Sequence, residues 1–212
     1  IFERACLIGQ VNRVAGLDLI TDRYKHLQPL GLGIKFRAHP LGVGIAAVQL
    51  QKLDELNRKR RDYIRTVELG LADIPGVRPV SIYEGAEPAG FYGFPIHYLE
   101  EEVGGLPKEK FIKALQEEGL RVQSNGYPLL HQLPLFAEGF DIFTEGRGPL
   151  CTPKMGGDYL GYQKGDFPIT EEVCSRLIFL PVFSNPVEDA AEQVVTAIRK
   201  VLSHAEQLIV RD

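Results

Sequence analysis

Lys35 and Arg37 stand two residues apart in Gly31-Leu-Gly-Ile-Lys-Phe-Arg-Ala-His-Pro40. On extended backbone, residues two apart point to the same side. The pair therefore offers two cationic side chains to one phosphate or carboxylate, and an arginine can grip a carboxylate through two parallel hydrogen bonds. A solvated basic loop gives the same pattern. His131 lies in Tyr127-Pro-Leu-Leu-His-Gln-Leu-Pro-Leu-Phe136, between prolines that restrict the backbone. An imidazole held there suits binding a substrate anion or shuttling a proton, and it equally suits a structural histidine. His39 fits a cap on the helix that follows it, whereas His26, His97 and His204 have no partner identifiable from sequence. Arg58-Lys-Arg-Arg61 is flanked by Asp54, Glu55 and Asp62 and reads as a solvated helix face rather than a nucleic-acid site.

Familiar fingerprints are missing. Gly31-Leu-Gly33 and Gly42-Val-Gly44 have neither the spacing of a dinucleotide loop nor the Lys-Ser/Thr of a P-loop. There is no His-Glu-x-x-His, no Gly-x-Ser-x-Gly and no cluster of metal-ligand spacing. The residues alone thus give an anion-binding loop and one well-placed histidine, without a nucleophile.

The elements that must position these groups follow from periodicity. Pro40 suits a first helical turn, where its missing N–H would have no partner. One long helix is expected over about 40–69, with small residues (Gly42, Gly44, Ala46, Ala47) for close backbone approach. Leu50, Leu53, Leu56 and Ile64 then form its apolar stripe, and Gly70 its C-cap. Further on, 91–98 reads as a strand with Pro95 at an edge or bulge, 106–119 as a helix stopped by Gly119, and 120–123 as a strand. The Gly- and Pro-rich stretch 126–166 has little periodicity, which points to a segment that is flexible or shaped by a ligand or partner. A short helix (170–176), a buried strand (177–183) and an amphipathic helix (185–202) follow. The fold class expected is α/β, a small layer packed on the long helix.

At 212 residues with net charge −4, 44% hydrophobic and 25% charged, the chain has the composition of an ordinary soluble domain, and its acidity argues against a nucleic-acid surface. No apolar run nears the roughly 20 residues that a membrane helix needs. Cys6, Cys151 and Cys174 are odd in number and far apart, which suggests a reducing, cytoplasmic setting. Ile1-Phe-Glu-Arg-Ala-Cys-Leu-Ile8 reads like the interior of a helix without a cap, so a piece of a longer protein is expected.

Several ordered segments resemble the DegT/DnrJ/EryC1/StrS aminotransferases. They are Gly33-Ile-Lys-Phe-Arg-Ala-His-Pro40, Gly44-Ile-Ala-Ala-Val-Gln-Leu-Gln-Lys-Leu-Asp54, Arg58 to Tyr63, Tyr127-Pro-Leu-Leu-His131 and Phe167-Pro-Ile-Thr-Glu-Glu-Val-Cys-Ser-Arg-Leu-Ile-Phe-Leu-Pro181. The resemblance implies the C-terminal part of a fold type I pyridoxal-phosphate enzyme: 1–39 as the end of the large domain with the basic loop, 40–72 as the linking helix, and 73–212 as the small C-terminal domain. It implies a cytoplasmic homodimer with shared active sites and no nucleic-acid or membrane partner, moving an amino group from Glu or Gln to a keto group of a nucleotide-linked sugar or cyclitol. By the same resemblance Arg37, His131 and Tyr127 bind substrate or donor. Lys35 takes a cofactor-phosphate position where the family usually has Asn. The Schiff-base lysine is expected upstream of Ile1, with no catalytic residue assigned among residues 1–212, so this piece alone should be inactive. A sugar dehydratase with His in place of that lysine and a non-catalytic relative are the alternatives.

Overall fold

The computed structural model describes residues 2–7, 19–26, 39–86, 90–141 and 144–210. Lys35 and Arg37 fall outside this set. The helices are α1 (Phe2–Cys6), α2 (Asp22–His26), α3 (Pro40–Leu50), α4 (Leu53–Leu71), α5 (Lys108–Glu117), α6 (Pro134–Ala137), α7 (Pro168–Arg176), α8 (Ala190–Ser203) and α9 (Ala205–Val210). The strands are β1 (Val77–Pro79), β2 (Phe94–Tyr98), β3 (Gln123–Ser124) and β4 (Leu177–Leu180). Chain contacts divide the protein into two units, one of residues 1–39 with 127–171 and one of 40–126 with 172–212.

The second unit is a two-layer α/β structure. Its sheet runs β1-β2-β4-β3, antiparallel throughout, with Ile96 opposite Ile178 and Tyr98 opposite Val77. Alternation along β2 and β4 places Phe94, Ile96, Tyr98, Ile178 and Leu180 on the buried face. There they join Tyr63, Ile64, Val67 and Leu71 of α4, Phe111 and Leu115 of α5, and Val194 and Ile198 of α8 in one core. Tyr98 stacks on Phe111 at 4.5 Å and donates its hydroxyl to the carbonyl of Leu106 at 2.8 Å, so the buried phenol is satisfied.

Several expectations change here. The long helix breaks at Gln51–Lys52 into α3 and α4. Of the expected stripe only Ile64 is buried; Leu50 and Leu53 are exposed. Gly42 and Gly44 have nothing within 4 Å of where a Cβ would stand, so they serve no close approach among the described residues. Gly70 does that work instead. It lies inside α4, and a Cβ there would sit 2.6 Å from Val195 of α8. Pro95 lies in an internal strand rather than at an edge. Pairing of β1 with β2 stops at Ile96, so the missing N–H of Pro95 leaves no β1 partner unmatched. Gly119 stops α5 as expected: at φ +92 it donates to Gln116, while Leu120 donates back to Leu115.

The first unit has a smaller core of Leu7, Leu19 and Leu135, with Tyr24, Phe136 and Phe140 packed on it. Glu3 holds the residues just before α2 by accepting from the backbone N–H of Ile20 (2.6 Å) and Thr21 (2.7 Å). The described residues of the aperiodic stretch hydrogen-bond among themselves. Phe140 donates its N–H to Leu150 and Tyr162 to Phe136, and the hydroxyl of Tyr159 donates to the carbonyl of Phe136 at 2.8 Å. Asp141 accepts from the N–H and hydroxyl of Thr144 and from the N–H of Gly146.

Candidate functional site

His131 sits in a single 3-10 turn, Leu130–Gln132, with extended residues on both sides. The flanking prolines account for this, because each restricts the backbone and Pro134 opens α6. The imidazole is only 7% exposed, and its Nε2 lies 2.8 Å from Oε1 of Glu171, whose side chain is 16% exposed. The same Oε1 accepts the N–H of Gly165 at 2.7 Å. The N–H of Gly165 first, then the imidazole of His131, hold this carboxyl below its ordinary value, against a burial effect that raises it. Phe167 covers the imidazole, centroid to centroid 4.9 Å at 50°, and Tyr162 meets Phe167 edge-on at 5.3 Å. The arrangement is a buried imidazole with one ring nitrogen committed to a carboxylate and an aromatic ring tilted against it.

Of the other residues singled out from sequence, Tyr127 is exposed (69%). Lys35 and Arg37 lie outside the described residues. Three residues of the basic run of α4 are engaged within the second unit: Arg58 pairs with Asp62 (3.5 Å), Lys59 with Glu55 (3.1 Å), and Arg60 donates to Asn57 (2.8 Å) and Ser184 (2.7 Å). Glu171 and Phe167 were not singled out as site residues. Both lie in the Phe167–Pro181 segment that carries the family resemblance, but nothing in their spacing ties them to a histidine 40 or so residues earlier.

Pyridoxal phosphate needs donors for its phosphate and, for transamination, a lysine amine. The described residues do not assemble such a site. Lys154 and Lys164 are exposed, and Oε1 of Glu171 already accepts from Gly165 and pairs with His131. A groove of about 600 Å3 in the first unit has Lys154, Gln163 and Thr152 on its walls, and His26 is paired there with Glu138 at 3.0 Å. Among the described residues there is no cluster of metal ligands and no helix long and apolar enough to cross a membrane.

Residues 8–145, more than half of the chain, match the model of the DegT/DnrJ/EryC1/StrS aminotransferase family. The chain belongs to this family. The match takes in the basic loop, α3 and α4, and the Tyr127–His131 segment. A curated relative is the spore coat polysaccharide biosynthesis protein SpsC of Bacillus subtilis, 20% identical over 174 residues, which cover 82% of this chain and 39% of SpsC. Similar solved structures include DesI in the presence of its TDP-sugar product (TM-score 0.60, 18% identity, 80% of this chain and 37% of that one). Another is Helicobacter pylori PseC, an aminotransferase involved in the biosynthesis of pseudoaminic acid (TM-score 0.57, 17% identity, 82% and 40%). At such identities the likeness shows the fold: α/β, part of a fold type I transferase. The chain spans about two fifths of the length of these family members.

Proposed function

We propose that this chain is part of a pyridoxal-phosphate-dependent aminotransferase that moves an amino group from Glu or Gln to a keto group of a nucleotide-linked sugar or cyclitol. The observation that carries the reading is the family match over residues 8–145, which spans both the cationic loop and the His131 segment. The names of SpsC, PseC and the TDP-sugar complex of DesI support a sugar-linked acceptor. In this reading Arg37 grips the donor carboxylate and His131, with Tyr127, meets substrate. Lys35 contacts the cofactor phosphate as a point charge. Pyridoxal phosphate supplies the chemistry of carrying the amino group; the chain's own groups bind and orient what it acts on. The working enzyme is a cytoplasmic homodimer with shared sites.

The test uses protein made from the complete reading frame, loaded with pyridoxal phosphate, reduced with borohydride and mapped by peptide. A phosphopyridoxyl group on one lysine upstream of Ile1 is the expected result. Cofactor retained without a modified lysine would make the protein a dehydratase, and no retention would make it a non-catalytic relative. In the active enzyme, Arg37→Ala should raise the donor KM at least tenfold, the loss of about 1.4 kcal/mol of binding, while the circular dichroism spectrum stays native. Unchanged donor kinetics would remove Arg37 from the site.

A further inference from the structure

An ionised carboxylate can only accept hydrogen bonds, so the imidazole nitrogen facing it must carry the proton. In this protein the carboxylate is Glu171, at the start of α7, and the nitrogen facing it is Nε2 of His131, at 2.8 Å. The bond is protected, since the two side chains are only 7% and 16% exposed. It is also oriented from behind: the backbone N–H of Gly165 donates to the same oxygen at 2.7 Å and fixes where that oxygen points. Phe167, tilted at 50° against the imidazole with centroids 4.9 Å apart, leaves the ring little room to swing out of the carboxylate's reach. The ring is thus bonded at Nε2 and packed by Phe167, both from within one unit of the fold.

We propose that Glu171 is a positioning residue for His131: it fixes the neutral imidazole as the Nε2–H tautomer and leaves Nδ1 as the one ring nitrogen that can meet substrate. Nδ1 is then an acceptor for a hydroxyl when the ring is neutral and a donor to an anion when the ring is charged. The Gln132 amide nitrogen also lies 3.4 Å from Nε2, a longer contact to a neutral group that yields to the 2.8 Å bond to the carboxylate; the word substrate rests on the function proposed above. Without the carboxylate the two neutral tautomers compete, and a substrate group meets the wrong one part of the time.

Long-range 1H–15N spectra of the 212-residue protein at about pH 9, well above the ordinary histidine value of about 6.5, report the tautomer of each of its five histidines. His131→Asn identifies the signal. The wild type should show His131 purely as Nε2–H. Glu171→Gln should retain that tautomer, because an amide oxygen still accepts from both Nε2 and Gly165, whereas Glu171→Ala should give a mixture. An Nδ1–H tautomer in the wild type, or an unchanged spectrum in a folded Glu171→Ala, overturns the proposal. If Glu171→Ala does not fold, the wild type and Glu171→Gln still decide it. In the active enzyme Glu171→Ala should raise the KM of the ligand that His131 meets about tenfold, with Glu171→Gln close to wild type. Equal KM values for all three remove the positioning role. A tautomer set by Glu171 in a protein that never transaminates overturns the aminotransferase reading alone.

Discussion

His131 shows how little of a site one residue reveals. Its place between two prolines marked it out, yet its meaning comes from Glu171, 40 residues later in the chain. The pairing has a consequence for stability. The N–H of Gly165 and the imidazole of His131 hold the Glu171 carboxyl below its ordinary value in the folded protein. A depressed folded value contributes stability that is fully present above the unfolded value, about 4.3, and is lost as pH falls through the lower folded one. Glu171→Gln cannot ionise and lacks this dependence. Urea midpoints measured between pH 3 and 7 should therefore show wild type above Glu171→Gln at neutral pH, the gap closing as pH drops below about 4. A gap that does not change with pH would contradict the assignment.

At the scale of elements, α4 and α8 depend on one small residue. A Cβ at Gly70 would stand 2.6 Å from one Val195 methyl, 3.0 Å from the other and 3.3 Å from its Cβ, so no rotamer of Val195 relieves the clash. Glycine to alanine inside a helix normally gains about 0.5–1 kcal/mol. Overpacking costs about 1–3 kcal/mol and should win here. Gly70→Ala is expected to lower stability by about 1–2 kcal/mol net in denaturant titration, and Gly70→Ala with Val195→Ala to recover part of it. A single variant as stable as wild type would mean that the helices can move apart freely. Periodicity did identify α5, α7 and α8, because amphipathic spacing is local. It did not show which glycine faces another helix, since Gly42, Gly44 and Gly70 look alike until a partner helix is set against one of them.

For the whole molecule the telling feature is α3. Ten of its eleven residues are apolar or small, none is buried, and Leu41, Val43, Ile45, Val48 and Leu50 are 51–73% exposed. A contiguous apolar surface of this kind makes a protein associate. The 212-residue protein on its own should bind a hydrophobic dye and elute above its 23.6 kDa mass. Replacing Leu41, Ile45 and Val48 together with Gln should reduce both, without loss of helix signal. A monomeric, dye-silent wild type would contradict this. The chain also covers only about two fifths of its relatives' length, and the same exposed helix falls inside the family match.

What is local or ordered along the chain was legible without a structure: the amphipathic helices, the Gly119 stop, the proline-framed histidine and the run of segments that resembles one aminotransferase family. Each depends on residues near one another in sequence, where spacing reports geometry directly. Tertiary contacts settle the rest: Glu171 faces His131, Pro95 lies in an internal strand, Gly70 is the close-packed glycine, and the apolar side chains of α3 are exposed. These depend on how segments far apart in the chain are placed. Their energies come from burial and close packing, which a linear pattern records only as a hydrophobic or small residue, without naming its partner.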